Sequence, residues 1–179
     1  LIGWMVARQA DRMAEMSFTD ALTGVYSRLA FEERMQEEVA RHFRTQESLS
    51  ILVLDIDNLK HINEKLGFRS GNAAVVAVAE TMQHVGRSGD VVARLDGDEF
   101  AIIAPATTTE DAARLATRLR RRLHELRASS KLIPTLSVGV AGTDSVSEVS
   151  TESLVRTATE AMQMAKSQGR DCFVSYSGE

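Results

Sequence analysis

The 179-residue chain reads as an α/β fold, a sheet layered with helices. Two observations predict it. Short apolar runs of strand length are separated by longer stretches of helical period. In addition, Val91 to Ala104 places two apolar, β-branched runs on either side of Asp96-Gly97. An Asp-Gly pair in that setting signals an antiparallel hairpin, because both turn residues tolerate positive φ.

The elements follow in order. Ile2, Val6, Gln9, Met13 and Met16 recur at alternating steps of four and three, a coiled-coil-like helical seam with Gln9 as its polar interruption. It is too short for a stable coiled coil alone, so it either transmits an upstream signal or packs on the domain. Residues 1–18 are therefore expected to form a linker or signalling helix, and 19–179 the folded domain. Leu1 to Ala7 is apolar and is followed by Arg8 and Arg12. Two readings stay open: the tail of a membrane span with its cytoplasmic flank, or an ordinary amphipathic linker. A span by itself needs about 20 apolar residues.

Asp20 to Ser27 is a break, and Leu29 to about Thr45 is helical with charges in pairs. Leu49 to Asp55 is a buried strand. Asn58 to Leu66 is a short helix or turn. Gly71 to Val85 is a helix with Val75, Val78, Met82 and Val85 on one face. After the hairpin, Thr109 to Leu126 forms a helix with Leu115, Leu119, Leu123 and Leu126 inward. Ile133 to Val140 alternates as a strand, Gly142 to Val149 is a Ser/Glu-rich loop, Thr151 to Gln168 a helix, and Cys172 to Tyr176 a closing strand.

Hydrophobic content of 44% and charged content of 26% suit a soluble globular domain. A net charge of −4 argues against bulk nucleic-acid binding. Cys172 is the single cysteine, so no disulfide framework exists. His42, His61, His84 and His124 lack ligand spacing, which argues against zinc.

The chemistry concentrates in acids. Asp98 and Glu99 stand directly after the turn, where acids are poor strand formers and cost stability. Asp55 and Asp57 bracket Ile56 at a strand end and point to one side of an extended chain. If that strand lies beside the hairpin, Asp55 and Asp98 converge on one cation. Carboxylate oxygens without soft ligands argue for magnesium or manganese. Lys166 and Arg170 sit four apart on one helix face, and Lys60 lies one turn past the acidic strand end. Three cations beside an acidic site suit a triphosphate. Arg114, Arg118 and Arg121 form an outward stripe on their helix.

Six segments carry a resemblance in order: Asp20-Ala-Leu-Thr-Gly24 with Arg28; Asp55-Ile-Asp-Asn-Leu-Lys60-His-Ile-Asn63; Gly67-Phe-Arg-Ser-Gly71-Asn72; Asp96-Gly-Asp-Glu-Phe100; Leu136-Ser-Val-Gly139; and Ala165-Lys166-Ser-Gln-Gly-Arg170. Together they resemble the GGDEF domain of diguanylate cyclases, with a variant Asp-Gly-Asp-Glu-Phe signature. The resemblance implies a ferredoxin-like, antiparallel-rich sheet of the nucleotide-cyclase palm type flanked by helices. It implies condensation of two GTP into cyclic di-GMP with release of pyrophosphate, through attack of a ribose 3′-hydroxyl on an α-phosphate.

By the same resemblance, Asp55, the Ile56 carbonyl and Asp98 hold magnesium or manganese, and Glu99 completes the acidic site or assists deprotonation. Lys60, Asn63, Asn72, Gly97, Lys166 and Arg170 contact substrate. Arg87 and Asp90, an R-x-x-D ahead of the signature, form a product-inhibition site to which Arg118 adds a second arginine. Each protomer holds one GTP, so the implied enzyme is a homodimer, the cytoplasmic output domain of a chain with an upstream sensor. The sequence departs from the family pattern at Asp96, Asn72, Leu59, Thr159 and Gln163. No departure removes a metal ligand, but Asp96 and Asn72 lie near the nucleotide. They leave an alternative open, a degenerate domain that binds GTP or cyclic di-GMP and signals without catalysis.

Overall fold

The computed structural model describes residues 17–176. These residues form five helices and five strands in the order α1 (Arg28–Thr45), β1 (Leu49–Ile56), α2 (Leu59–Leu66), α3 (Phe68–Val85), β2 (Val91–Arg94), β3 (Glu99–Pro105), α4 (Thr109–Ser129), β4 (Leu136–Gly142), α5 (Thr151–Ser167) and β5 (Phe173–Ser175). Three helices start where a hydroxyl accepts from an otherwise unpaired amide: Ser27 from Ala30, Thr108 from Asp111 and Ser150 from Ser153.

The strands form one sheet in the order β2-β3-β1-β4-β5. Every neighbouring pair is antiparallel except β4–β5. This is the antiparallel-rich α/β sheet expected from the sequence. β1 is central, and all eight of its residues are buried. Its alternation separates two cores. Leu52, Leu54 and Ile56 pack with α3 and α4, whereas Leu49, Ile51 and Val53 pack with α1 and α5. By the same parity Asp55 belongs to the α1/α5 face, at the strand's end.

α5 approaches β4 closely at Gly139. A Cβ there would lie 1.9 Å from the Ala158 carbonyl oxygen and 2.2 Å from the Met162 amide nitrogen. The glycine is the condition for that helix to lie flat on the sheet, and so for Lys166 at its end to reach the acidic edge.

Two expectations change. The hairpin turn is not the positive-φ kind: neither Asp96 nor Gly97 has positive φ. The connection runs over residues 95–98, with the Leu95 and Asp96 amides both donating to the Glu99 carbonyl. The Asp96 carboxylate accepts from the Gly97 amide at 2.8 Å, so side-chain bonding shapes a longer loop. Helix α3 also begins at Phe68 rather than Gly71, because Gly67 at φ +82° bends the chain sharply enough for a new helix to start at once. The seam from Ile2 to Met16 lies outside the described residues. No helix among the described residues is long and apolar enough to cross a membrane.

Candidate functional site

Pairing of β1 with β3 brings the two acidic segments together. Asp55 lies opposite Glu99, and the Ile56 amide donates to the Asp98 carbonyl at 2.9 Å. Asp55 is buried and Asp98 exposed. Lys166, from the end of α5, places its Nζ 2.7 Å from Asp55 Oδ2. Burial pushes the Asp55 carboxyl above the usual carboxylate range, the Lys166 ammonium opposes this, and the charges of Asp98 and Asp57 add to the rise.

Asp57 has other partners. Its side chain accepts from Ser137 Oγ, Thr135 Oγ1 and the Asp171 amide. The shared side that Asp57 was expected to take with Asp55 in an extended chain does not apply as written, since the strand ends at Ile56.

A cavity of about 440 Å³ opens beside Asp98, lined by Leu59, Lys60, Asn63, Glu64, Phe68 and Gly97. Asn63 is seated by Gly71: a Cβ on that glycine would fall 1.7 Å from Asn63 Oδ1. Lys60 is almost fully exposed and 3.8 Å from Glu64, one turn along α2. Phe68 is 77% exposed at the rim. Asn72, the fifth residue of α3, is exposed and does not line the cavity. Arg170 is exposed at φ +65° and makes no ion pair among the described residues.

The signature turn is latched from behind. Arg94 donates to the carbonyls of Asp96 and Gly97 at 3.3 and 2.8 Å, and pairs with Asp20 at 3.2 Å. Burial alone would raise the Asp20 carboxyl. Hydrogen bonds from Thr23 and the Arg94 guanidinium outweigh it and hold Asp20 below the usual range. Arg28 Nε donates to the Leu95 carbonyl at 3.0 Å. The opening Asp-x-Leu-Thr-Gly turn and the hairpin loop are therefore tied together by Arg94 and Arg28.

Arg87 and Asp90 line a second cavity of about 330 Å³, with Tyr26, Gln83 and Val92. The Asp90 carboxylate already accepts from the Arg87 amide at 2.8 Å, and the Arg87 side chain is exposed. Arg118, half-buried on α4, does not line this cavity. The flanking arginines are engaged locally: Arg114 with Glu110 and Asp111, and Arg121 with Glu125.

Among the described residues no three His, Cys, Asp or Glu side chains cluster to cage a metal. Two carboxylates and a main-chain carbonyl are nevertheless the donor set that magnesium takes when phosphates and water complete its octahedron. Sequence reasoning named Asp57 as an acid of the strand end, but missed its contacts with Thr135, Ser137 and Asp171 and the hold of Arg120 and His124 on Asp171. The motifs mark only those Asp57 contacts that lie inside them.

The sequence matches the family described as diguanylate cyclase, GGDEF domain, over residues 17–172. Diguanylate cyclase DgcP of Pseudomonas aeruginosa is 34% identical over 160 residues, covering 88% of this chain and 24% of that protein. The chain spans well under half the length of the curated relatives it matches. The GGDEF domain of PA1120 (TpbB or YfiN) from the same organism superposes with a TM-score of 0.80 at 31% identity, covering 88% of this chain and 94% of that one. The GGDEF domain of DgcB from Caulobacter crescentus, solved in complex with c-di-GMP, gives 0.79 at 27% identity, covering 89% and 96%. With the family match spanning nearly all the described residues, this chain belongs to the diguanylate cyclase GGDEF domain family.

Proposed function

We propose that the domain, from about residue 19 to the C-terminus, condenses two GTP into cyclic di-GMP. The observation that carries this reading is the convergence of Asp55 and the Asp98 turn beside the Asn63–Lys60 cavity, with Lys166 paired to Asp55.

Asp55, Asp98 and the Ile56 carbonyl would hold magnesium or manganese, which supplies charge neutralisation for the triphosphate and the departing pyrophosphate. Asn63 reads the guanine edge, Asn72, next in sequence to the Gly71 that seats Asn63, adds a second base contact from outside the cavity lining, and Gly97 allows close approach of the ribose. Lys60, Lys166 and Arg170 take the β- and γ-phosphates. For Lys166 this means leaving Asp55 for the phosphates as nucleotide binds, a swap of one anionic partner for another. Glu99, half-buried opposite Asp55, assists deprotonation of the 3′-hydroxyl.

Two such sites must face each other, so the active unit is a homodimer, controlled by a sensor elsewhere in the full-length chain. A location on the cytoplasmic side follows from GTP as substrate. The Arg87–Asp90 cavity takes product, a role in keeping with the c-di-GMP in the DgcB complex. Arg118, away from that cavity, would act only from a partner protomer or through a movement.

The test is chromatographic detection of cyclic di-GMP after incubation with GTP and magnesium. Asp98→Ala is expected to abolish product while leaving the thermal midpoint within about 2 °C, since surface changes stay within about 0.5 kcal/mol. Unaltered turnover in that variant removes Asp98 from the mechanism. Asp96 and Asn72 favour a second reading, binding of GTP or cyclic di-GMP without catalysis. Nucleotide binding with no product in the parent would select it.

A further inference from the structure

Between α5 and β5 the chain holds an uncommon conformation. Gly169, Arg170 and Asp171 stand in succession at φ +111°, +65° and +47°. Two of the three are not glycine, and side chains seldom adopt this region unless their surroundings impose it. The surroundings here are specific. The Asp171 amide donates to Asp57 Oδ2 at 3.0 Å. The Asp171 carboxylate is held by His124 Nε2 at 2.8 Å and by Arg120 at 3.2 Å, and Arg120 also bonds the Asp171 carbonyl.

Asp57 is 3% exposed and held in turn by Thr135 Oγ1 and Ser137 Oγ, each at 2.7 Å. Its own amide donates to the Thr135 carbonyl. It thus ties the end of β1, the start of β4 and the loop after α5 at one point. Two residues before it is Asp55. One residue before the loop's tie point is Arg170.

We propose that Asp57 is a positioning residue for the triphosphate. Through the Asp171 amide it fixes the left-handed loop, and the loop sets where Arg170 stands relative to Lys166 and Asp55. This rests on the reading above that Lys166 and Arg170 hold phosphates. The carboxylate acts as a hydrogen-bond acceptor, so its oxygen matters more than its charge. An asparagine presents one oxygen to Thr135 and the Asp171 amide and turns its NH₂ to the Ser137 hydroxyl, which can accept.

The experiment is calorimetric titration, with magnesium, of a GTP analogue with a methylene bridge between the α- and β-phosphates and of GMP, on the parent and on Asp57→Ala, Asp57→Asn and Arg170→Ala. Asp57→Ser, whose hydroxyl falls short of the Asp171 amide, replaces the alanine variant if that one fails to fold. Asp57→Ala is expected to weaken the triphosphate analogue about tenfold, the scale of one hydrogen bond to a charged partner, while GMP changes less than about twofold. Asp57→Asn should stay within about threefold of the parent for both.

Loss of both ligands alike in Asp57→Ala would mean a general packing role and overturn the proposal. An equal loss in Asp57→Asn and Asp57→Ala would also overturn it, since the acceptor would then be irrelevant. If Arg170→Ala weakens the analogue and Asp57→Ala does not, the positioning role falls while the phosphate reading stands. If neither does, the phosphate reading of this loop fails, and the positioning role with it.

Discussion

Single atoms decide how the nucleotide cavity is built. The Asn63 amide sits where a Cβ on residue 71 would be, so Gly71 seats it. Adding that Cβ must displace a flexible side-chain end rather than backbone, which a fold tolerates. Gly71→Ala is therefore expected to lower GTP affinity about tenfold with little change in melting temperature, because a misdirected amide loses its guanine bond. Asn72 offers the converse test. A carboxylate accepts from both guanine N1–H and N2–H₂, whereas an amide supplies one acceptor and faces the second donor with its own N–H. Asn72→Asp should raise GTP affinity roughly tenfold and sharpen discrimination against ATP. Competition binding of the two nucleotides measures both variants. No change in either would remove residues 63 and 72 from base reading.

At the scale of elements, the fold depends on how closely α5 lies on β4. The Gly139 contact is with main-chain atoms of Ala158 and Met162, which cannot swing aside. Gly139→Ala should cost about 3 kcal/mol, at the upper end of overpacking, seen as a lower denaturant midpoint. It should also loosen Lys166 from Asp55, because the helix must lift as a whole.

The opening turn and the hairpin loop form a second unit through Asp20 and Arg94. Since the folded Asp20 carboxyl lies below its ordinary value, the folded state binds that proton less readily than the unfolded chain. Its stabilisation is complete above about pH 4, where the unfolded carboxyl is ionised, and disappears as pH falls through the lower folded value. Melting temperatures from pH 7 to pH 2 should show Asp20→Asn below the parent at neutral pH, with the two converging in acid. A constant gap across the range would assign the effect to packing rather than ionisation.

For the whole molecule, the proposed reaction needs two copies. Each half-site lies at the exposed end of the central strands beside an exposed Phe68, with nothing among the described residues of one protomer to bring a second ribose to the α-phosphate. Specific activity is expected to rise with protein concentration, because encounter of two protomers limits the rate. A rate strictly proportional to concentration from nanomolar to high micromolar would contradict that. Sedimentation across the same range would separate a preformed dimer from a monomer that cannot react.

The α/β class, the order of elements and the carboxylates of the acidic edge were legible in the residues, because each rests on local information. The burial pattern of β1 is continuous along the chain, the helical periods are regular, and Asp55 and Asp98 stand within short motifs. What the tertiary structure alone decided depends on contacts between segments far apart. The Asp-Gly turn looked like a two-residue hairpin, yet Arg94 and the Asp96 carboxylate impose a longer loop without positive φ. Asp57 read as a second acid of the strand end on the same side as Asp55, yet Thr135, Ser137 and Asp171, between 78 and 114 residues away, surround it. Lys166 read as a phosphate ligand through the family resemblance, and only the packing of α5 on β4 brings it to Asp55. Periodicity reports which face of an element is buried. It carries no record of which distant polar group will meet a given carboxylate, because that pairing is settled when the layers close.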